Sequence, residues 1–455
     1  MSLESRNPAS DELLHTYNQM SDHEVDSIIN CVEDDFSTWS RTSFSERAQL
    51  MRSAATVLKL KKKELAKLMT QEMGKPITGA IAEVEKCASV CEYYADNAEK
   101  FLAPEIIETE ASVSKVLYQP LGIVLAVMPW NFPLWQVFRF AAPALMAGNG
   151  ALLKHASNVC GSALAIESVF REAGFPADIF RTLLIGSKKV SRVIENSSVK
   201  AVTVTGSTAA GRAIAAKAGE MLKKTVLELG GSDPYIVLAD ADLDKAAQVC
   251  VDSRMINNGQ SCIAAKRFIV EESVSESFTE KFVAKMKSKR CGDPLDEATE
   301  LGPQAREDLR DDLHKQVQAS VEEGARLLLG GEMPPGPGAY YPATVLADVG
   351  PGMPAYDEEL FGPVAAIITA EDEVAAIRIA NDTVFGLGAA IFTANASHGE
   401  EVASEQLNAG ACFVNSMVKS DPRLPFGGIG DSGYGRELSH HGIKEFVNTK
   451  TVYVA

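Results

Sequence analysis

The feature that most constrains the fold is a regular alternation of short apolar runs with amphipathic stretches in the first half of the chain. Each run is about five residues long, and about 10 to 18 residues with helical periodicity separate successive runs. A strand followed by a helix and a parallel strand forms a βαβ unit, so the alternation predicts a doubly wound parallel sheet. The runs are Gly122 to Val127, Gly150 to Lys154, Arg181 to Ile185, Ala201 to Thr205 and Thr225 to Leu229.

A second series of apolar runs lies between Tyr235 and Asn415 and predicts a second α/β domain. Ahead of both series, residues from about Asp22 to Lys100 have the periodicity of amphipathic helices that wrap a core. The segment Met333 to Gly338 is rich in Pro and Gly and predicts an exposed loop. The runs of the second series are Arg267 to Val270, Ala365 to Thr369, Ala389 to Phe392 and Ala411 to Val414.

Two further segments have the pattern of strands but belong to neither series. Val113 to Tyr118 alternates in strand fashion, and Asn448 to Val454 is rich in β-branched residues. Each segment looks too detached to be buried within one subunit. We therefore expect these strands to pair between subunits of a homodimer or homotetramer.

The composition limits the class of function. The chain has 44 Lys and Arg residues against 61 Asp and Glu residues, and the net charge of −17 disfavours binding to nucleic acid or to anionic membranes. No apolar run approaches the roughly 18 residues of a membrane helix, and the acidic start of the chain is unlike a targeting peptide. We therefore expect a cytoplasmic protein. The eight cysteines have neither CxxC nor Cys/His spacing, so we expect free thiols and no metal site.

Three residues are candidates for catalysis on their local pattern alone. Cys262 follows Gly259 and polar neighbours, so it is either a reachable nucleophile or a buried core thiol. Glu228 ends an apolar run, so it is either a general base with a raised pKa or a strand-end carboxylate facing water. Asn131 lies in a corner restricted by two prolines, where its amide either donates to an oxyanion or caps a helix.

Five short blocks resemble the aldehyde dehydrogenase superfamily, in the order that the family has them and over essentially the whole chain. Each block is weak alone, but five in register make coincidence improbable. Within the superfamily, the sequence is most similar to the succinate-semialdehyde dehydrogenases of bacteria. The blocks are Pro129 to Pro133 (PWNFP), Glu228 to Gly231 (ELGG), Gly259 to Cys262 (GQSC), Glu358 to Val364 (EELFGPV) and Pro425 to Gly428 (PFGG).

The resemblance implies a mechanism and a division into domains. Cys262 would attack an aldehyde, the Asn131 amide and the Cys262 backbone N–H would stabilise the oxyanion, and Glu228 would activate water to hydrolyse the thioester. A glutamate at this position favours hydrolysis over transfer of the acyl group to coenzyme A. We expect a Rossmann-like NAD(P)-binding domain (residues 1–100 and 121–230), a catalytic α/β domain (231–430) and a small β oligomerisation element (101–120 and 431–455).

The cofactor is expected across the carboxyl ends of the first series of strands. No GxGxxG occurs, but by resemblance the sequence GSTAAG places Gly206 and Ser207 against a pyrophosphate. Ser157 stands where NAD-preferring relatives usually carry glutamate, and Lys154 supplies a cation, so NADP is expected with NAD as the alternative. The resemblance gives Glu359 the nicotinamide ribose. The other cofactor-binding candidates are Pro129, Trp130, Leu229 and Phe361.

The substrate is expected along the helix after Asn131, which lines a tunnel in family members. Trp135 and Arg139 share one face of this helix. Arg139 either clamps the far carboxylate of a short semialdehyde or forms a salt bridge to a protein carboxylate. Succinate semialdehyde is the expected substrate, with another short aliphatic aldehyde or semialdehyde as the alternative. The remaining substrate-binding candidates are Ser261 and Ser420.

A different class of function is a catalytically silent structural or binding protein on the same scaffold. The presence of Cys262, Glu228 and Asn131 together weighs against it. A redox-sensing role for Cys262 is compatible with catalysis.

Overall fold

The structure is a computed structural model that describes residues 2–455. The strands form largely where the apolar runs predict them, because each run is bounded by turns and followed by an amphipathic helix. Within residues 2–455 the strands are β1 (Ser2–Arg6), β2 (Leu13–Asn18), β3 (Glu105–Ile106), β4 (Val113–Pro120), β5 (Ile123–Met128), β6 (Gly150–His155), β7 (Phe180–Thr182), β8 (Val199–Thr205), β9 (Lys224–Glu228), β10 (Pro234–Val237), β11 (Arg267–Glu271), β12 (Arg326–Leu329), β13 (Thr344–Ala347), β14 (Val364–Ala370), β15 (Gly388–Phe392), β16 (Ala411–Val414), β17 (Gly433–Tyr434) and β18 (Val447–Val454).

The first four helices confirm the amphipathic region predicted before the first series. Ser21 and Ser43 begin the first two helices with capping boxes, in which the serine hydroxyl accepts from the backbone N–H of Glu24 or Glu46 and that glutamate accepts in return. The helices are α1 (Asp22–Trp39), α2 (Phe44–Leu60), α3 (Lys62–Met73), α4 (Ile77–Phe101), α5 (Trp135–Met146), α6 (Cys160–Glu172), α7 (Val190–Glu195), α8 (Thr208–Glu220), α9 (Leu243–Met255), α10 (Glu272–Lys287), α11 (Glu307–Glu322), α12 (Pro354–Asp357), α13 (Glu373–Asn381), α14 (Ala396–Glu405) and α15 (Ser439–Lys444).

The first series of runs forms a six-stranded sheet in the order β17-β9-β8-β5-β6-β7. The central strand β5 is parallel to β6 on one side and to β8 on the other. Alternate residues of β5 point to opposite faces: Val124 and Ala126 join the core formed with α4, α5 and α6, whereas Ile123 and Leu125 join the core formed with α1 and α7. The predicted doubly wound sheet is confirmed.

The edge strand β17 joins this sheet from near the end of the chain. It runs antiparallel to β9, with Gly433 opposite Glu228. Gly433 has φ +107°, and a Cβ there would lie 2.1 Å from the carbonyl oxygen of Leu227, so this pairing requires glycine. Sequence analysis assigned residues 431–455 to an oligomerisation element. The structure differs, because residues 433–434 belong to the same sheet as β9.

The second series forms a seven-stranded sheet in the order β12-β13-β14-β11-β10-β15-β16. Its neighbours are parallel, except that β12 is antiparallel to β13 at one edge. The second α/β domain is therefore confirmed. The sequence did not reveal β12 and β13, which have only four residues each and flank the exposed loop at 333–337.

The two strands expected to pair between subunits pair with each other inside one chain. β4 and β18 are antiparallel, with Val113 opposite Val454, and the short strand β3 completes a three-stranded sheet. Within residues 2–455, the outer edge of β18 has no neighbouring strand. Pairing across a subunit boundary at that edge stays a prediction.

Three observations concern the class of protein. None of the helices within residues 2–455 combines the length and the apolar character needed to cross a membrane. All eight cysteines are free thiols. Across the same residues, no three His, Cys, Asp or Glu side chains gather in an arrangement suited to a metal ion.

Candidate active site

Cys262 lies in a tight loop that connects α9 to β11. Asn257 and Asn258 have φ of 54° and 59°, in the left-handed region that asparagine tolerates better than most residues. Gly259 follows with φ +75°, and a Cβ there would lie 2.2 Å from the backbone of Gly362. The loop is therefore fixed by the run of two asparagines and one glycine that precedes Cys262.

The Cys262 thiol is partly exposed and faces a cavity of about 250 Å³, named here the Cys262 cavity. Its backbone N–H has no hydrogen-bond acceptor within residues 2–455 and is free to donate to a ligand. The surrounding protein raises the pKa of the thiol to about 12, although the Lys266 and Arg139 cations oppose the shift. The thiol is thus protonated at neutral pH in the structure as it stands.

Most of the predicted catalytic and cofactor residues share the Cys262 cavity, although they come from distant parts of the chain. Trp130 and Phe361 pack edge to face there, with ring centroids 5.7 Å apart. The predicted residues that line the cavity are Pro129, Trp130, Asn131, Gly206, Ser207, Leu229, Cys262, Glu359 and Phe361.

Asn131 is held by the loop that carries the thiol. Its side-chain amide donates to the backbone carbonyl oxygen of Gln260 at 3.1 Å, and the backbone carbonyl of Asn131 accepts from the Asn257 side-chain amide at 2.6 Å. Asn131 is not the N-cap of α5, which begins at Trp135 after Leu134. The helix-cap alternative is therefore excluded, and the second proton of the Asn131 amide is available to a ligand.

Glu228 is buried at the end of β9, with 2% of its surface exposed. Within residues 2–455, neither carboxylate oxygen has a hydrogen-bond partner. Burial and the nearby Glu437 carboxylate raise the pKa of Glu228 well above its usual value, although the Arg139 and Arg436 cations oppose the shift. The alternative of a strand-end carboxylate facing water is wrong.

Arg139 takes the salt-bridge alternative that the sequence left open. It is 2% exposed, forms an ion pair with Glu437, and lies 4.8 Å from the ring centroid of Phe426. Its positive charge still opposes the rise in the pKa of Cys262 and of Glu228. The ion pair engages Nε of the guanidinium, and binding of substrate by Arg139 stays a prediction.

A second cavity, of about 470 Å³, lies between α4, α5 and the segments around residues 252–257 and 289–300, and is named here the Lys86 cavity. Asn131 lines the Cys262 cavity and the next residue, Phe132, lines the Lys86 cavity, so one short segment contributes to both. Of the predicted substrate residues, Trp135 lines the Lys86 cavity. Ser420 is 6% exposed and accepts a hydrogen bond from Lys86 Nζ at 2.6 Å.

Two residues qualify the sequence-based choice of substrate site. Ser261 is 1% exposed and lines neither cavity; its carbonyl accepts from Lys266 Nζ at 2.8 Å. Lys86 was not predicted at all. Its only sequence signal is a position on α4 among many other charged residues, which does not distinguish it from a solvated lysine.

The turn after β8 suits a dinucleotide phosphate. Ser207 is the N-cap of α8, and its hydroxyl accepts from the N–H of Ala210 at 3.3 Å. A Cβ added to Gly206 would meet nothing within 4 Å, so the space beside this turn is open. Gly211 lets α8 approach β9, because a Cβ there would lie 2.4 Å from Leu229. An open helix N-terminus is a site for an anion.

The predicted adenosine end lies after β6. Lys154 is the last residue but one of this buried strand, and burial lowers the pKa of its ammonium group. Within residues 2–455, Lys154 Nζ has neither an ion pair nor a hydrogen-bond partner. Ser157 is exposed on the following turn. A free cation beside an exposed hydroxyl suits a phosphate group.

Glu359 lies between the two sheets and faces the Cys262 cavity. One of its oxygens accepts from the N–H of Gly231 at 3.1 Å and lies 3.4 Å from Lys266 Nζ. A Cβ on Gly230 would lie 2.6 Å from the other oxygen, so the ELGG glycines permit this approach. A carboxylate held there can accept hydrogen bonds from a ribose.

Comparisons with known proteins agree with this site. The chain is 51% identical over 455 residues to a probable succinate-semialdehyde dehydrogenase (NADP+) of Synechocystis sp., with 100% of both chains covered. It is 49% identical over 449 residues to a succinate semialdehyde dehydrogenase (NAD(P)+) of Escherichia coli, covering 99% of this chain and 97% of the relative.

A solved structure and a family profile extend the comparison. The crystal structure of succinic semialdehyde dehydrogenase from Streptococcus pyogenes in complex with NADP+ superposes with a TM-score of 0.97 at 39% identity, covering 99% of each chain. The profile of the aldehyde dehydrogenase family matches residues 1–452. The resemblance stated from the five sequence blocks is thereby confirmed, and the chain belongs to the aldehyde dehydrogenase family.

Proposed function

We propose that the protein oxidises succinate semialdehyde to succinate with NADP, through a thioester on Cys262. The observation that carries the chemistry is that Cys262 and Asn131 share one cavity with the phosphate-binding turn at Gly206. The relatives at 49% to 51% identity, named for succinate semialdehyde, support the substrate. The alternative substrate is another short aliphatic aldehyde or semialdehyde.

The first half of the reaction forms a covalent bond to the thiol. Cys262 Sγ loses its proton and attacks the aldehyde carbon, which leaves a hemithioacetal with a negative oxygen. The Cys262 backbone N–H and the free proton of the Asn131 amide donate to this oxygen. When bound, NADP would accept a hydride from the former aldehyde carbon, and loss of that hydride would leave the thioester. The thiol proton passes to solvent when the sulfur attacks, because desolvation by the surrounding protein raises the thiol pKa to about 12 and the thiol starts protonated.

The second half of the reaction hydrolyses the thioester. Glu228 accepts a proton from water, the resulting hydroxide attacks the acyl carbon, and the Cys262 thiolate leaves and is reprotonated. The missing hydrogen-bond partners of the Glu228 carboxylate suit this role, because no protein donor occupies either oxygen. Its raised pKa makes it a stronger base once it is ionised.

The predicted cofactor residues could hold three different parts of an NADP molecule. The open N-terminus of α8 at Gly206 and Ser207 would take the pyrophosphate, and Glu359 would accept hydrogen bonds from the nicotinamide ribose. The unpaired Lys154 ammonium and the exposed Ser157 hydroxyl would hold the 2′-phosphate. The NADP+ in the Streptococcus pyogenes relative supports this assignment.

We also propose that the protein works in the cytoplasm as a homodimer or homotetramer, with the catalytic, cofactor and oligomerisation domains divided near the predicted boundaries. The open edge of β18 supports assembly through this strand. Light scattering of the active protein tests the proposal. An active monomer would contradict it.

The test of function is a panel of aldehydes, each measured with NADP and with NAD. We expect the highest kcat/KM for succinate semialdehyde with NADP, and we expect butanal to be oxidised far less efficiently. A Cys262→Ala variant should have no dehydrogenase activity, because the other thiols do not line this cavity. Efficient oxidation of butanal, or dehydrogenase activity in Cys262→Ala, would overturn the proposal. No turnover of any aldehyde would indicate a catalytically silent scaffold protein.

A further inference from the structure

The Lys86 cavity contains three lysines, and two of them are neutralised by the protein. Lys75 forms a buried ion pair with Glu83. Lys289 lies 3.5 Å from an Asp252 oxygen and 3.1 Å from a Glu300 oxygen. The charges of Lys75 and Lys289 are therefore already balanced by protein carboxylates.

Lys86 differs from the other two. Within residues 2–455, no carboxylate oxygen lies within 4.0 Å of Lys86 Nζ, so Lys86 has no ion-pair partner. The carboxylates that line the same cavity are either engaged by the other two lysines or, in the case of Glu297, exposed at its rim. A partly buried ammonium group without a counter-ion is costly and indicates a ligand of opposite charge.

Neighbouring side chains hold Lys86 in a fixed position. Its Nζ lies 4.0 Å from the ring centroid of Trp135, an arrangement that stabilises a cation, and donates to Ser420 Oγ at 2.6 Å. The ammonium group keeps two further protons, and the Ser420 hydroxyl keeps its own proton to donate. A carboxylate placed beside this pair would receive hydrogen bonds from both.

We propose that Lys86, with Ser420 beside it, binds the distal carboxylate of the aldehyde substrate and determines selectivity for semialdehydes that carry an acid group. This inference rests on the proposed function and identifies the residue that recognises the substrate. Lys86 would act in addition to Arg139, whose Nε is paired with Glu437. The substrate would then extend from Lys86 towards Cys262, past the segment that carries Asn131 and Phe132.

The test compares Lys86→Met with a matched control, Lys289→Met, in the full-length protein with NADP. Lys289 lines the same cavity but is ion-paired. Loss of a charge-assisted contact should lower kcat/KM for succinate semialdehyde about ten- to a hundredfold in Lys86→Met, chiefly through KM. Butanal oxidation should change less than about twofold, because butanal has no carboxylate. Lys289→Met should keep the discrimination of the parent protein.

Two further variants keep the inference testable if Lys86→Met folds poorly. Lys86→Arg retains the positive charge and should restore most of the selectivity. Ser420→Ala removes one donor and should cause a smaller loss, again for succinate semialdehyde alone. Thermal melting and butanal turnover report whether each variant is folded.

The outcomes separate this inference from the proposed function. If the parent protein does not prefer succinate semialdehyde to butanal, the proposed substrate is wrong, and the inference fails with it. If the parent protein prefers succinate semialdehyde but Lys86→Met weakens both aldehydes equally or neither, the function stands and the role of Lys86 is refuted. A loss of selectivity in Lys289→Met equal to that in Lys86→Met would also refute it.

Discussion

Glu72 in α3 and Glu228 at the end of β9 are buried to the same degree, with 1% and 2% of their surfaces exposed, yet their surroundings are opposite. Glu72 accepts hydrogen bonds from the hydroxyls of Ser5 and Ser162 and from the backbone N–H groups of Gly161 and Ser162. Glu228 accepts none within residues 2–455. Burial raises the pKa of both groups.

The difference teaches that burial and a raised pKa do not by themselves identify a reactive carboxylate. Glu72 uses its oxygens to join β1 and the start of α6 to α3, so its role is structural. Glu228 keeps its oxygens unsatisfied at a free-energy cost that a purely structural residue would not retain. The number of hydrogen-bond donors around the carboxylate therefore distinguishes Glu72 from Glu228, although the two are equally buried.

The largest expected effect is on turnover in Glu228→Gln. Without the base, steady-state turnover should fall roughly one hundred- to ten-thousandfold. Acylation should persist, so rapid mixing should show a burst of reduced coenzyme that stops after one equivalent. The variant should be at least as stable as the parent protein, because an unpartnered buried acid is replaced by a neutral amide. Unchanged steady-state turnover would remove the basis for the contrast with Glu72.

Glu72→Gln should show the reverse pattern. An amide in place of the carboxylate meets the N–H of Ser162 with a donor instead of an acceptor, so the free energy of unfolding should fall by about 1 to 3 kcal/mol. Calorimetric or denaturant unfolding measures this change. The kcat at a temperature where the variant is folded should match the parent. A large loss of kcat without loss of stability would mean that Glu72 also takes part in the chemistry.

The rate of thioester hydrolysis should report the raised pKa of Glu228. The ionised form is the base, so the rate should rise as pH rises through the raised pKa and should fall tenfold per pH unit below it. Single-turnover hydrolysis across about pH 5 to 9 measures this dependence. The slow hydrolysis in Glu228→Gln should not show this rise of the rate with pH. An apparent pKa at the ordinary value of 4.5 would contradict the environment described for Glu228.

The smallest expected effect is on coenzyme use in Lys154→Met, which removes a cation that has no protein partner, as Glu228 is a carboxylate that has none. Lys154→Met should lower kcat/KM for NADP about tenfold, because one charge-assisted contact to the 2′-phosphate is lost. The same variant should use NAD as well as the parent protein does. Ser157→Glu should reverse the coenzyme preference by repelling the 2′-phosphate. Equal losses for NADP and NAD in Lys154→Met would show that Lys154 supports the strand and not the phosphate.

Local pattern was sufficient for the two parallel sheets. Apolar runs and their spacing specify strands because periodicity is a local property of the chain. The same reasoning failed for β12 and β13, whose four-residue runs carry little periodicity. The structure gives the glycines of the ELGG and GQSC blocks a steric reason, because a Cβ on Gly230 or Gly259 would lie too close to Glu359 or Gly362.

Contacts between distant residues could not be predicted. For Arg139 the sequence left a substrate clamp and a salt bridge open. The choice could not be made from sequence, because the partner Glu437 is almost 300 residues away and spacing says nothing about that contact. Lys86 was overlooked because a lysine on a charged helix is usually solvated. Its role depends on Trp135 and Ser420, which only the folded chain brings to it. The burial of Ser261 could not be predicted either, because packing sets it, and its role in substrate binding stays a prediction.

The contribution of the last part of the chain to the Glu228 environment has a consequence for biosynthesis. Gly433 on β17 pairs with Glu228, and Glu437 forms the ion pair with Arg139. The ribosome makes Cys262 and Glu228 long before it makes these partners. A nascent chain that has not yet reached residue 433 therefore carries Cys262 and Glu228 without the strand and the ion pair that surround Glu228 in the folded protein.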